Sequence, residues 1–255
     1  MQFNNTVKEK LANGDVVMGC FIPPASGFTV EILALAGFDF VLLDAEHGPI
    51  APESAYEMIL AAESRGIPAF ARIGQNDKQV ILKFLDLGIS GVMVPQIANA
   101  VEAENAIAAT KFWPRGTRGL AGGRTFNYGL KESAPDLVPV LNDRVLSMIQ
   151  FEHIDTLPHL DAILDVPDLD VLFVGPNDLA QSMGFPGQPG HPDVTAVADD
   201  VVRQVRERGI KLGTVAPDAA SARVAIDRGF DMIVANSPGL LASAARAYVT
   251  GARST

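Results

Sequence analysis

The run Phe40-Val41-Leu42-Leu43-Asp44-Ala45-Glu46-His47-Gly48 decides how this chain is read. Its apolar first half has the length and aliphatic content of a strand buried on both faces. Its second half carries three ionisable residues, Asp44, Glu46 and His47. A buried strand does not run into Asp-x-Glu-His without a reason, because an unpaired interior charge is costly. In a parallel barrel the C-terminal end of a strand opens into the pocket where that fold places its chemistry. The stretch therefore predicts a barrel stave ending in a site, provided other strands end the same way.

Working outward, strand and helix patterns alternate. Strands are predicted at 16–22, 38–43, 67–72, 89–94, 145–151, 169–174, 211–215 and 231–235. Helices are predicted at 5–13, 28–36, 53–65, 77–87, 100–111, 156–164, 194–208, 218–228 and 240–250, with shorter ones near 135–141 and 178–183. Gly14, Gly37, Gly66, Gly88 and Gly209 follow helices, as C′ residues do. Asp77 is a plausible N-cap. Strands alternating with helices of this length imply parallel pairing through right-handed crossovers, and eight units imply closure into an α/β (β/α)8 TIM barrel, a single domain over residues 1–255. An open doubly wound sheet is the alternative, weakened by the lack of a G-x-G-x-x-G turn after the first strand. Residues 112–133, with WPRGTRG and AGGRTFNYG, make a connection long enough to expect a function from it.

Composition narrows the classes. The 255 residues are 48% hydrophobic and 20% charged, enough for a sizeable core and too apolar for disorder. The net charge of −10 disfavours nucleic acid, whose affinity comes from phosphate neutralisation. Cys20 is the one cysteine, which excludes an intrachain disulfide and a zinc cluster. Residues 1–15 are polar and unlike a signal peptide, and no run reaches the ~18 apolar residues of a membrane span. A cytoplasmic setting is expected.

The strand ends collect Asp44, Glu46 and His47 (second strand), Arg72 (third), Gln96 (fourth), Gln150 and Glu152 (fifth) and Asp178 (sixth). The opposite ends are bland, and polar residues at one rim form the pattern of a site. Glu152 and Asp178 end adjacent staves. Two carboxylates beside a neutral Gln150, with no Cys or His cluster, suit an oxygen-loving divalent ion such as Mg²⁺ or Mn²⁺. The plainer alternative is that Glu152 pairs with an arginine and Asp178 caps a helix. Arg72, a fixed planar donor, suits a carboxylate or a developing enolate oxygen; a salt bridge to Asp44 or Glu46 is compatible with that. A histidine suits a general base because the ordinary pKa of an imidazole lies near neutrality, which makes His47 a candidate, with Asp44 to orient it. His153, His159 and His191 read as structural.

The seven lysines (8, 10, 78, 83, 111, 131 and 211) avoid the C-terminal strand ends, so a Schiff-base mechanism lacks its nucleophile and carbonyl chemistry needs a metal. TVAPD and ANSPG after the seventh and eighth strands are not phosphate cradles. Cys20, inside the first strand, reads as core.

LLDAEHG, ARI, LDLG, MVPQI, PRGTRG, IQFEH, FVGPNDLA and GHP, in this order, closely resemble the HpcH/HpaI aldolase family over nearly the whole chain. The resemblance implies a TIM barrel, a divalent metal (Mg²⁺ or Mn²⁺, with Co²⁺ a third option), reversible addition of pyruvate to an aldehyde, and a homohexamer built as a trimer of dimers. It implies Glu152 and Asp178 as metal ligands and Arg72 on the pyruvyl oxygen. His47 with Asp44 would handle protons, Gln150 would support the site, and the backbone at Gly175 and Pro176 would receive the carboxylate. Asp86, in LDLG, would act across a subunit interface. The resemblance breaks at Phe21, where the family commonly has Trp; that segment lines the pocket and bears on substrate range.

The expected function is thus a metal-dependent aldolase cleaving 4-hydroxy-2-oxoacids to pyruvate, or a related 2-oxoacid, and an aldehyde, with no nucleic-acid or membrane partner. Oxaloacetate decarboxylation through the same enolate, thioester cleavage of the malyl or citramalyl type, and a non-catalytic metabolite-binding barrel are the alternatives.

Overall fold

The computed structural model describes residues 5–253. Eight strands run β1 Val17–Ile22, β2 Phe40–Asp44, β3 Ala69–Arg72, β4 Gly91–Val94, β5 Leu146–Phe151, β6 Val171–Val174, β7 Lys211–Val215 and β8 Met232–Asn236. They pair in sequence order, all parallel, and β1 closes on β8. The doubly wound alternative is thereby excluded.

The helices are α1 Thr6–Asn13, α2 Gly27–Leu35, α3 Pro52–Ser64, α4 Lys78–Asp86, α5 Ala100–Thr110, α6 Ala134–Arg144, α7 Leu160–Leu164, α8 Pro176–Ser182, α9 Pro192–Glu207, α10 Ala219–Asp227 and α11 Ser237–Arg253. Asp77 caps α4 as expected, accepting from the Gln79 and Val80 N–H groups. Helix α1 begins at Thr6, not Asn5, because the Asn5 side chain is its N-cap and accepts from Lys8 N–H. Residues 1–4 lie outside the described range. The predicted helix at 156–164 is instead a 3-10 turn, Ile154–His159, followed by α7; Pro158 removes the donor that α-helical pairing would need there.

Strand alternation builds two cores. Residues on one face, among them Val17, Phe40, Leu42, Phe70, Met93, Met148, Val171 and Phe173, fill the barrel. Those between them, such as Cys20, Val41, Leu43, Ala71, Val92 and Ile149, face the helix layer. Filling the barrel with rings demands gaps elsewhere: a Cβ on Gly19 would stand 2.1 Å from the Phe40 ring. The lower end is shut by α1, whose Val7 and Leu11 join the interior cluster. Following the inward alternation upward past this core leads to Phe21, Asp44, Arg72 and Gln150.

Two features lie outside the regular frame. The connection from α5 to β5 runs helix to strand, so it lies at the N-terminal rim of the barrel, away from the strand ends that carry the acids. Its residues Arg124–Gly129 form a 3-10 turn, and α6 then extends three residues beyond its predicted end. Helix α11, 17 residues long, buries none of them. No helix among the described residues is long and apolar enough to cross a membrane.

Candidate active site

Asp44 and Arg72 are register partners on β2 and β3, each the last residue of its strand. The guanidinium forks onto the carboxylate, with Nε donating to Oδ1 at 3.0 Å and Nη2 to Oδ2 at 2.7 Å. Nε also lies 3.3 Å from Glu46 Oε2. Beneath the pair, the guanidinium sits 4.5 Å from the centroid of the Phe21 ring, which meets Phe173 edge-on. Both members are buried. Burial pushes the Asp44 carboxyl up, but Arg72 and two backbone N–H groups outweigh it and hold the group below its usual value.

Those two N–H groups correct one expectation. Asp44 Oδ1 accepts from the backbone N–H of Glu46 at 3.2 Å and of His47 at 3.1 Å. An acid followed by donors two and three residues on makes a local turn, which captures the main chain and not the imidazole. The carboxylate facing the His47 ring is Glu46, whose Oε2 lies 3.8 Å from Nε2. The His47 side chain is 62% exposed, at the lip of the site.

The sequence offers Glu46 only as an alternative salt-bridge partner of Arg72. It touches Arg72, His47 and, through Oε1, the Gln96 side-chain amide at 3.2 Å. Burial raises its pKa, with Arg72 the largest opposing influence. Gln96 in turn donates its backbone N–H to Glu152 Oε1 at 2.7 Å. It does so with φ of 56°, a left-handed conformation that costs a non-glycine residue about 1–3 kcal/mol. Its two hydrogen bonds tie Glu46, after β2, to Glu152, after β5, from just beyond β4.

Glu152 is buried, and Gln150 Nε2 donates to its Oε2. Its pKa is pushed up to about 7, chiefly by burial, with Glu46 and Asp178 adding repulsion. Gly175 closes against this pair: a Cβ there would stand 3.0 Å from Gln150 Nε2 and 3.1 Å from Glu152 Cβ. Asp178, in the first turn of α8, makes no capping bond, since Gly175 takes the cap position. Glu46, His47, Gln96, Glu152 and Asp178 line one open cavity of about 640 Å³, whose other wall includes His153, Thr156 and Gln181. His153, expected to be purely structural, thus borders the site, although its Nδ1 accepts from the Asp155 N–H.

The donor set fits a divalent cation held by few protein ligands. Among the described residues no three His, Cys, Asp or Glu side chains converge as a self-sufficient metal cage. Glu152 and Asp178 face one cavity, the buried Gln150 Oε1 has no partner among the described residues, and Arg72 is already balanced by Asp44. Acidic excess with an unpaired oxygen is what a hard cation with water and substrate in its remaining positions needs.

Asp86 does not join this site within one chain. It ends α4 at the opposite rim, where its Oδ1 accepts from Arg118 Nη2 at 2.9 Å. Cys20 faces the helix layer, and burial pushes its thiol up to about 12, which removes it as a nucleophile.

A family model described as HpcH/HpaI aldolase/citrate lyase matches residues 17–244. The chain belongs to that family. It is 34% identical over 226 residues to a pyruvate aldolase of Rhizobium etli, covering 88% of each chain. It is 33% identical over 225 residues to a 4-hydroxy-2-oxo-heptane-1,7-dioate aldolase of Salmonella dublin, covering 88% of this chain and 85% of the relative. A HpcH/HpaI aldolase/citrate lyase family protein of Burkholderia cenocepacia J2315 superposes with a TM-score of 0.92 at 28% identity, over 98% of this chain and all of the other. The chain is therefore an enzyme of the aldehyde-lyase class, as its motifs led one to expect, and its closed barrel is the family's.

Proposed function

We propose that this enzyme is a divalent-metal-dependent aldolase that cleaves 4-hydroxy-2-oxoacids into pyruvate, or a related 2-oxoacid, and an aldehyde, and catalyses the reverse addition. The whole chain, residues 1–255, acts as one domain. The observation that carries the reading is the convergence on one cavity of Glu152, Asp178 and His47, with Arg72 fixed just beneath through Glu46.

Glu152 and Asp178 would hold the metal, with Mg²⁺ or Mn²⁺ the ions their oxygen donors suit and Co²⁺ a further candidate. When bound, the metal supplies a Lewis acid that draws charge from the 2-oxo carbonyl and acidifies the neighbouring C–H. Arg72 spends Nε and Nη2 on Asp44, which leaves Nη1 to face the oxyanion that develops on the 2-oxo oxygen. In cleavage the 4-hydroxyl loses its proton, the C3–C4 bond breaks with its electron pair passing into the enolate, and C3 takes up a proton. His47 Nε2 moves these protons, with Glu46 beside it. Gln150 fixes Glu152, and the backbone at Gly175–Pro176, kept open by the missing Cβ, receives the substrate carboxylate.

Assembly into a homohexamer is part of this proposal. It is supported by α11, which leaves Leu241 and Tyr248 at 72% and 79% exposure, and by Phe28, Ile32 and Leu35 exposed on α2. Apolar surface of this kind calls for a second copy. The free, buried Cys20 is in keeping with a reducing cytoplasm.

The test is hydrogen–deuterium exchange at the pyruvate methyl group, followed by NMR without any aldehyde. Exchange that requires Mg²⁺ or Mn²⁺ and stops with EDTA is expected. A folded protein that exchanges nothing with any of the three metals overturns the proposal and favours thioester cleavage or mere metabolite binding.

A further inference from the structure

The chemistry proposed above gives Gln96 no part, yet its backbone asks for one. It follows Pro95 just beyond β4 with φ of 56°, in the left-handed region. A glycine would sit there without steric cost. The bond from its backbone N–H to Glu152 Oε1, 2.7 Å long, needs no side chain. Packing does not explain the choice either, because Gln96 is exposed and lines the cavity instead of entering the core. What a glycine could not supply is the amide, whose Nε2 donates to Glu46 Oε1 at 3.2 Å. A strained conformation kept for the sake of its side chain points to function.

We propose that Gln96 is a positioning residue for proton transfer: its side-chain amide holds Glu46 Oε1 and so keeps Oε2 turned toward His47. This rests on the reaction proposed above, in which His47 moves the protons.

The Glu46 side chain is 8% exposed. Among the described residues the Gln96 amide supplies the hydrogen bond on its carboxylate, and the buried Oε2 has none. Arg72 Nε lies 3.3 Å from Oε2, but its N–H points to Asp44 Oδ1. His47 Nε2, at 3.8 Å, is within reach of charge and beyond a hydrogen bond. The last torsion of a glutamate is soft, so attraction alone leaves its two oxygens free to exchange or to swing into the cavity. A charge-assisted bond at Oε1 fixes which oxygen faces the imidazole. His47 stands at the lip with little packing to aim it, and proton transfer is sensitive to such alignment.

Two variants separate the amide from the backbone. Gln96→Gly suits the left-handed φ and keeps the N–H for Glu152. Gln96→Met keeps the length of the side chain and removes its donor. In both, Mn²⁺-dependent exchange of the pyruvate methyl protons at saturating pyruvate should slow about tenfold. The half-saturating pyruvate concentration and the calorimetric Mn²⁺ affinity should stay as in the wild type. The ¹⁵N shifts of the His47 ring, read at fixed pH on metal-free protein without pyruvate, should move in both variants while those of His191 stay in place. Gln96→Gly decides the matter if Gln96→Met does not fold. Exchange at the wild-type rate, loss of Mn²⁺ affinity alongside the rate, or unmoved His47 shifts overturns the proposal. A wild type that exchanges beside variants that do so equally well overturns this proposal alone; a wild type that exchanges nothing overturns the reaction and this proposal with it.

Discussion

Each rim of the barrel buries one arginine on a phenylalanine ring. Arg72 and Arg118 both stand 4.5 Å above their rings, and both pair with an aspartate. They differ in how fully they are used. Arg72 is forked onto Asp44 and flanked by Glu46, so its direction is fixed before any substrate arrives. Arg118 is more deeply buried but has one hydrogen bond to a carboxylate that is a third exposed. A buried guanidinium with a complete partner set is an oriented tool. One with an incomplete set carries a cost.

The contrast can be broken by mutation. The largest effect belongs to Arg72→Ala, expected to lower kcat by about 10²–10³ while the thermal midpoint moves by only a few degrees; steady-state kinetics and melting curves of the same preparation check it. An unchanged kcat would remove Arg72 from the chemistry and make the two arginines alike. Next comes Asp44→Asn, which leaves Arg72 to Glu46 alone. Breaking a buried ion pair costs about 3–5 kcal/mol, and the lower end is expected in urea unfolding because Glu46 stays. Loss of stability without loss of kcat would turn Asp44 from a positioning residue into a purely structural one.

The smallest effect is a pH dependence at the upper rim. Glu152 has a folded pKa raised from 4.5 to about 7, so in metal-free protein its contribution to stability is complete below 4.5 and is lost as pH rises through about 7. Metal binding needs the ionised form, so Mn²⁺ affinity should climb with pH and level off above about 7. Calorimetry across that range checks it; a flat profile in the native protein would separate Glu152 from the metal.

Much of this was legible in the residues. Strands buried on both faces, a glycine after helix upon helix, and ionisable residues gathered at one set of strand ends gave the barrel and its mouth. A salt bridge from Arg72 to Asp44 or to Glu46 was left open; strand register sets the fork onto Asp44, and Glu46 also lies within reach of Nε. The partner of His47 was not legible, because a spacing of three is as good for a main-chain turn as for a side-chain contact. Gln96 was seen at a strand end, but nothing in a sequence announces a left-handed glutamine joining Glu46 to Glu152. The position of residues 112–133 was available: a connection from helix to strand must lie at the base of such a barrel, wherever its function lies. The bare surface of α11 was not, since apolar residues that face a neighbour and those that face a core have the same spacing.

Helix α1 has one more consequence. Val7 and Leu11 are set into the lower end of the barrel and aromatic rings fill its interior, so among the described residues the approach to Glu152 is the cavity at the C-terminal mouth. Whatever reacts beside Glu152 comes and goes through the opening under His47. A reaction that makes two molecules from one at that open mouth takes in its substrate and gives up both products on the same face of the barrel.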